Sequence, residues 1–237
     1  EQIGEAGQLK LKSARVLLVG LGGLGSPVAL YLAASGVGTL GLCDDDLVDL
    51  SNLQRQVIYK TGDVGRKKTT SAAFAIAQSN PHVLCQTFDC RLTEANAREL
   101  VAGFDIVVDC TDSIEARYAL SDACAAAGIA MVYGALHKFE GQVSVFCLPG
   151  TPCYRCYFGG GDATAVPTCE ATGVLGVLPG IVGALQANEV LKLILGLGDV
   201  LCGTVLFFDA LTMQFRAMLL PVDKQCHCQG AVDVPAE

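Results

Sequence analysis

Tryptophan is absent from this chain, and charge is scarce: 17% of its 237 residues are Asp, Glu, Lys or Arg. Positive charge is the scarcer sign, with 16 Lys and Arg against 24 Asp and Glu, giving a net charge of −8. Nucleic-acid binding calls for clustered Lys and Arg, so no nucleic-acid partner is expected, and acidity alone names no other. No secretory signal precedes the first apolar run, and no internal repeat or linker divides the chain. The pattern G-x-x-x-x-G-K-[ST] is missing too, which excludes an ordinary P-loop.

What is abundant is apolar surface, at 51% hydrophobic residues, together with 27 Gly and 12 Cys. A core large enough for one sizeable α/β unit is easily supplied. The uncharged stretch from Val16 to Cys43 is long enough to raise the membrane question. It holds seven Gly and Pro27, however, placed where a strand would turn into a helix. It therefore reads as a buried β-turn-α-β unit, and no membrane partner is expected. Cys43, Cys85, Cys90, Cys110, Cys124, Cys147 and Cys202 sit singly in apolar runs and read as small buried hydrophobes. Without a secretory signal, the paired cysteines read as metal ligands in a reducing cytoplasm rather than as disulfides.

Along the chain, Val16–Gly20 reads as a buried strand, Gly23–Gly36 as a helix and Thr39–Asp44 as a second strand. Gly65–Ser79 is a helix stopped by Asn80-Pro81. Val83–Phe88 is a strand, Thr93–Val101 a Thr-capped helix, Ile106–Cys110 a strand and Ile114–Ala127 a helix ended by Gly128. Ala130–Gly134 is again a strand. This alternation implies a doubly wound, Rossmann-like, mostly parallel sheet. Gln142–Phe146 alternates as a half-exposed strand does, and Gly150–Thr172 has no clear period. Pro179–Leu195 is a helix followed by Gly196. Thr204–Asp209 and Gln214–Leu220 form an antiparallel C-terminal extension. The expectation is one domain over residues 1–237.

The chemistry gathers at few places. Gly20-Leu21-Gly22-Gly23-Leu24-Gly25 fits G-x-G-x-x-G at a strand–helix junction, where glycines let phosphates approach backbone N–H groups at a helix start. Asp44, 19 residues beyond Gly25, stands where a carboxylate binds ribose hydroxyls. An NAD-dependent oxidoreductase accounts for this much, but no Arg/His hydride-transfer constellation follows. Instead come Asp46 through Gln56, with Ser51, Asn52, Gln54 and Arg55, and then Gly65-Arg66-Lys67-Lys68. Cations in that place suit a triphosphate better than a dinucleotide pyrophosphate, which backbone normally serves alone.

Gly20–Gly25, Ser51–Gln56, Lys68 and Asp109-Cys110-Thr111-Asp112 together resemble the bacterial E1-like ThiF/MoeB/HesA adenylyltransferase family. The likeness continues through Cys153-Tyr154-Arg155-Cys156, Thr168-Cys169-Glu170-Ala171 and Gln186-Ala187-Asn188-Glu189, in order along nearly the whole chain. Phe139-Glu140-Gly141-Gln142 leans toward the molybdopterin-synthase adenylyltransferase branch rather than the thiamine branch. The resemblance implies an ATP-dependent enzyme that adenylates the C-terminal glycine carboxylate of a small ubiquitin-like sulfur carrier ending in Gly-Gly. E1-like relatives acting on a peptide or tRNA are the alternative within the class.

The resemblance also implies roles. Gly20, Gly22 and Gly25 receive the nucleotide, Asp44 holds the ribose, and Asn52, Arg55 and Lys68 contact the phosphates, with Asp46, Ser51, Gln54 and Ser113 nearby. Asp112 holds Mg²⁺ beside the reacting α-phosphate; capping the helix that begins near Ser113 is its plainer role. The family commonly has Asn where this chain has Ser113. Cys169 matches a cysteine that some members link covalently to the carrier or a sulfur donor. Cys153, Cys156, Cys226 and Cys228 make up a structural Zn²⁺ site, although the family usually has C-x-x-C in the second pair, and His227 stands between the two. The family's N-terminal arginine, which reaches into the partner subunit of a homodimer, would lie upstream of Gln2-Ile3-Gly4, in a segment expected to be missing. No rhodanese domain follows Cys228, so sulfur is expected from a separate donor protein.

Overall fold

In the computed structural model, which describes residues 3–159, 173–223 and 226, eight strands form one sheet in the order β3-β2-β1-β4-β5-β6-β7-β8. The strands are β1 Arg15–Val19, β2 Thr39–Cys43, β3 Leu84–Phe88, β4 Ile106–Asp109, β5 Ala130–His137, β6 Glu140–Phe146, β7 Thr204–Asp209 and β8 Gln214–Leu219. The first five pair in parallel, with Val19 opposite both Cys43 and Asp109, so β1, β2 and β4 end level with one another. The last three join antiparallel. Strand order reverses direction of growth at β1/β4, and ligands bind beyond the strand ends at such a point in an open α/β sheet.

The helices are α1 Gly4–Ser13, α2 Gly25–Ser35, α3 Lys68–Ser79, α4 Glu94–Val101, α5 Ile114–Ala127, α6 Tyr154–Phe158 and α7 Leu178–Leu195. They cover both sheet faces. Val16, Leu18, Leu40 and Leu42 face one hydrophobic cluster with α2 and α7, while Leu17, Val19, Val107 and Tyr133 face the other with α4 and α5. Strands buried on both faces read as continuous apolar runs, as β1 and β4 do. α7 is long and apolar enough to cross a membrane, but half of it is buried here, and it packs on α2, β5 and β6.

Three departures from the sequence expectations stand out, and the first two have simple causes. α1 is weakly amphipathic and carries no sequence signal of its own. It is held by tertiary contacts: Leu11 is buried, and the Lys10 ammonium donates to the Leu195 carbonyl at 3.0 Å, satisfying the end of α7. α3 begins at Lys68, three residues after the expected Gly65, because Lys67 is extended and supplies the N-cap. The aperiodic stretch after Gly150 also contains a short helix, α6.

Candidate active site

Beyond the ends of β1, β2 and β4 lies a cleft of about 1090 Å³, ample for a nucleoside triphosphate. Its floor is the turn from β1 into α2. Gly20 has φ +91°, and a side chain there would meet the Cys110 carbonyl oxygen at 2.6 Å. At Gly25 a Cβ would lie 2.1 Å from the Gly20 carbonyl. Gly25 thus serves close packing beneath the turn, off the cleft wall, whereas Gly20 and Gly22 line it. Gly22 is open: the nearest group to a Cβ there would be the Gln56 amide nitrogen at 3.6 Å.

The turn is tied to the end of β2. Asp44 accepts the Leu21 N–H at 2.7 Å on one carboxylate oxygen and the Asp46 N–H at 2.9 Å on the other. Burial pushes its carboxyl above the ordinary range, opposed by Lys68 and these two donors. The buried Lys68 ammonium lies 2.7 Å from Asp46 and 3.9 Å from Asp44. A cation at the first residue of a helix opposes the macrodipole, and the two carboxylates offset that cost. Tyr59, unmarked in the sequence, donates its hydroxyl to the Leu21 carbonyl at 2.8 Å and fixes the same turn from below.

A 3₁₀ turn, Leu50–Asn52, forms one wall. Asp49 caps it by accepting the Ser51 N–H at 2.8 Å, and the Asn52 side chain accepts the Asp49 N–H in return. Arg55 donates to the Ser51 carbonyl at 3.2 Å, so its guanidinium is held at the wall. Ser51, Asn52, Arg55, Asp46 and Lys68 all line the cleft. Gln54 lies off it, its amide against the Gly176 backbone. Gln56, the last residue of the Ser51–Gln56 segment and given no role of its own by the sequence, is 4% exposed, lines the cleft and has no partner for its amide oxygen among the described residues.

The opposite wall is the turn after β4. Asp112 is exposed and lines the cleft, and no described side chain pairs with it. It does not cap α5. The cap is Ser113, whose hydroxyl accepts the Ala116 N–H at 3.3 Å and donates to Glu115 at 2.7 Å. Behind this turn sit two buried residues of opposite charge type, Asp109, which opens the Asp109–Asp112 segment of the resemblance, and Arg117, to which the sequence assigned no role.

Some 73 residues apart in sequence, Cys153 and Cys226 bring their sulfurs to 3.4 Å, and Cys156 lies 3.8 Å from Cys153. Tetrahedral thiolates bound to zinc at about 2.3 Å are roughly 3.8 Å apart, so these three sulfurs fit a shared metal ion. Cys228, His227 and Cys169 lie outside the described residues.

The chain resembles known proteins. The chain is 46% identical over 236 residues to the SAMP-activating enzyme E1 of Haloferax volcanii, covering 98% of this chain and 87% of that protein. It is 44% identical over 235 residues to the sulfur carrier protein adenylyltransferase of Thermus thermophilus, covering 97% and 87%. Against the adenylyltransferase and sulfurtransferase MOCS3 of Sus scrofa it is 47% identical over 220 residues, 92% of this chain but 48% of that longer protein. The crystal structure of E. coli MccB with ATP superposes with a TM-score of 0.84 at 21% identity, covering 94% of this chain and 69% of the other, a likeness of fold. The model of the ThiF family matches residues 1–230, and with these relatives it establishes that the chain belongs to that family.

Proposed function

We propose that this chain adenylates the C-terminal glycine carboxylate of a ubiquitin-like sulfur carrier, using ATP and releasing pyrophosphate. The observation that carries the reading is the cleft itself. A glycine turn, the Asp44 carboxylate and the cations Arg55 and Lys68 on one side face Asp112 on the other, which pairs with no described side chain. The relatives named as activating or adenylating sulfur carriers support the same substrate class.

In this reading Gly22 lets the phosphates approach the start of α2, where backbone N–H groups favour an anion. Asp44 accepts the ribose hydroxyls, and Arg55, Lys68 and Asn52 bind the phosphates. Adenylyl transfer asks the protein mainly for positioning and charge neutralisation. Lys68 is suited to it because its present partners are carboxylates, which a triphosphate can replace. Asp112 would hold Mg²⁺, and the ion when bound would neutralise phosphate charge at the reacting centre. The carrier carboxylate then attacks the α-phosphate in line with the departing pyrophosphate, giving an acyl-adenylate. Zinc would be held by Cys153, Cys156 and Cys226, with Cys228 as the fourth thiolate, in a structural role.

A homodimer, a separate sulfur donor and a reducing cytoplasm belong to the same proposal. Leu47, Leu50 and Val57 are exposed on the segment that forms the cleft rim, which supports coverage by a second copy. Metal-binding thiols must stay reduced, which supports the compartment.

The test is ATP–pyrophosphate exchange with purified small ubiquitin-like proteins ending in Gly-Gly. Exchange is expected with at least one carrier and lost when its terminal glycine is removed. Tight NAD binding without ATP binding would overturn the reading.

A further inference from the structure

Asp109 closes β4 with its side chain wholly buried, and Arg117, one turn into α5, is 9% exposed. They face each other as an ion pair, but a poor one. Arg117 Nε is 3.5 Å from Asp109 Oδ2, and neither atom has a hydrogen-bond partner among the described residues. An Arg–carboxylate pair built for attraction would be bidentate. Here the good hydrogen bonds go to Thr111 instead. Asp109 Oδ1 accepts the Thr111 N–H at 3.0 Å and the Thr111 hydroxyl at 2.7 Å, while Arg117 Nη2 donates to the Thr111 carbonyl at 2.7 Å. Every polar group of Thr111 is held by one member of the pair.

The clamp is itself braced. The Asp109 carbonyl accepts the Gln186 amide at 2.7 Å from α7. The Arg117 guanidinium lies over the Tyr133 ring at 5.4 Å, and the buried Tyr154 ring packs 5.5 Å from Tyr133. The next residue after Thr111 is Asp112, which has no described partner of its own and stands at the cleft wall. Its position is inherited from the clamped residue before it.

We infer that Arg117 is a positioning residue for adenylyl transfer, which with Asp109 holds the Thr111–Asp112 turn so that the Asp112 carboxylate meets the reacting phosphate and its Mg²⁺. The inference rests on the adenylation reading and adds to it a residue that does not touch substrate. Removing Arg117 outright would strand the buried Asp109 charge and risk the fold. Lysine keeps the charge but not the planar fork that reaches Thr111, so Arg117→Lys is the informative variant. Thr111→Val, which removes the hydroxyl bond to Asp109 and leaves both charges, is the second.

Pyrophosphate exchange with the carrier that works best on the parent enzyme should fall by on the order of 10- to 100-fold in kcat for Arg117→Lys, since small misplacements at a reacting centre cost this much. KM for ATP should stay within about twofold. Combined with Asp112→Ala, Arg117→Lys should add almost no further loss, because both act through one carboxylate. Calorimetry without any carrier gives an independent measure: Arg117→Lys and Asp112→Ala should both raise the Mg²⁺ concentration needed for full ATP affinity. Multiplicative losses in the double variant, or an unchanged Mg²⁺ requirement, would overturn the inference. An Asp112→Ala enzyme of full activity would overturn the role of Asp112, and with it the reason for the clamp, while leaving adenylation by this chain intact.

Discussion

Two carboxylates flank β1 at equivalent places, Asp44 just after β2 and Asp109 at the end of β4, and the fold uses them oppositely. Asp44 faces the cleft. It keeps two backbone N–H donors and a lysine near it, and its neighbour Asp46 is exposed. Asp109 faces inward and is wholly buried, its carbonyl held by Gln186 of α7 and its carboxylate beside Arg117 of α5, whose guanidinium lies over Tyr133. Burial raises the pKa of both, and a lysine opposes it at one, an arginine at the other. One corner therefore presents charge to the cleft, while the other uses charge to hold a turn. A strand-end carboxylate at a switch point is not in itself a ligand contact; the packing above it decides.

The largest effect expected from disturbing this contrast is at Asp112, which the inward corner aims. Asp112→Ala should lower adenylation by on the order of 10²-fold or more, with ATP binding changed much less. Its melting temperature should stay near that of the parent, because Ser113 is the cap. Ser113→Ala is the control, costing about 1 kcal/mol of stability. A destabilised but active Asp112→Ala protein, measured by exchange and thermal melting on one sample, would break the comparison.

Removing metal should affect the inward corner alone. Tyr154 follows Cys153 directly and packs on Tyr133 beneath Arg117. A chelator that strips one zinc per chain should lower the melting temperature, since a ligand held at 1,000 times its Kd stabilises by about 4 kcal/mol. Exchange should weaken while ATP affinity, set at the Asp44 corner, holds. Elemental analysis finding no zinc would remove this arm of the argument.

Gly25→Ala tests the outward corner by sterics. A Cβ 2.1 Å from the Gly20 carbonyl forces the turn to shift, at a cost of about 1–3 kcal/mol. ATP affinity should fall with it, whereas Gly22→Ala, with open space around it, should fold normally and lose affinity alone. Denaturant melts and calorimetry on the two variants separate packing from ligand approach.

The smallest expected effect is with pH. Because burial raises the Asp44 pKa, the folded protein holds that proton more tightly than the unfolded chain, so this group's contribution to stability is lost as pH rises through the folded value. ATP binding runs the other way. It needs the ionised acceptor, so affinity should decline as pH falls, beginning above the ordinary carboxylate range. Calorimetry at falling pH on parent and Asp44→Asn, each set against the titration of ATP itself, should show the steeper decline in the parent.

Most of the sheet was legible in the sequence because β1, β2 and β4 are continuous apolar runs and the intervening helices carry their own stops, such as Gly36 and Gly128. The outward corner was legible too, since glycines, Asp44, Arg55 and Lys68 are polar or turn-forming residues interrupting that pattern. α1 left no trace, because its stability comes from α7 rather than from its own periodicity. Nor could the spacing tell that Gln54 and Gly25 lie off the cleft while Gln56 lines it. The inward corner was the least visible. Asp109 appeared only as the first residue of the Asp109–Asp112 segment and Arg117 stands in ordinary helix sequence, and nothing local marks either charge as buried. Which element covers a strand end, and whether sulfurs 73 residues apart meet, depends on packing between distant segments. The sequence by itself determined the chemistry available and the order of the parallel elements; only the tertiary structure decided which charges face the cleft and which hold the wall behind it.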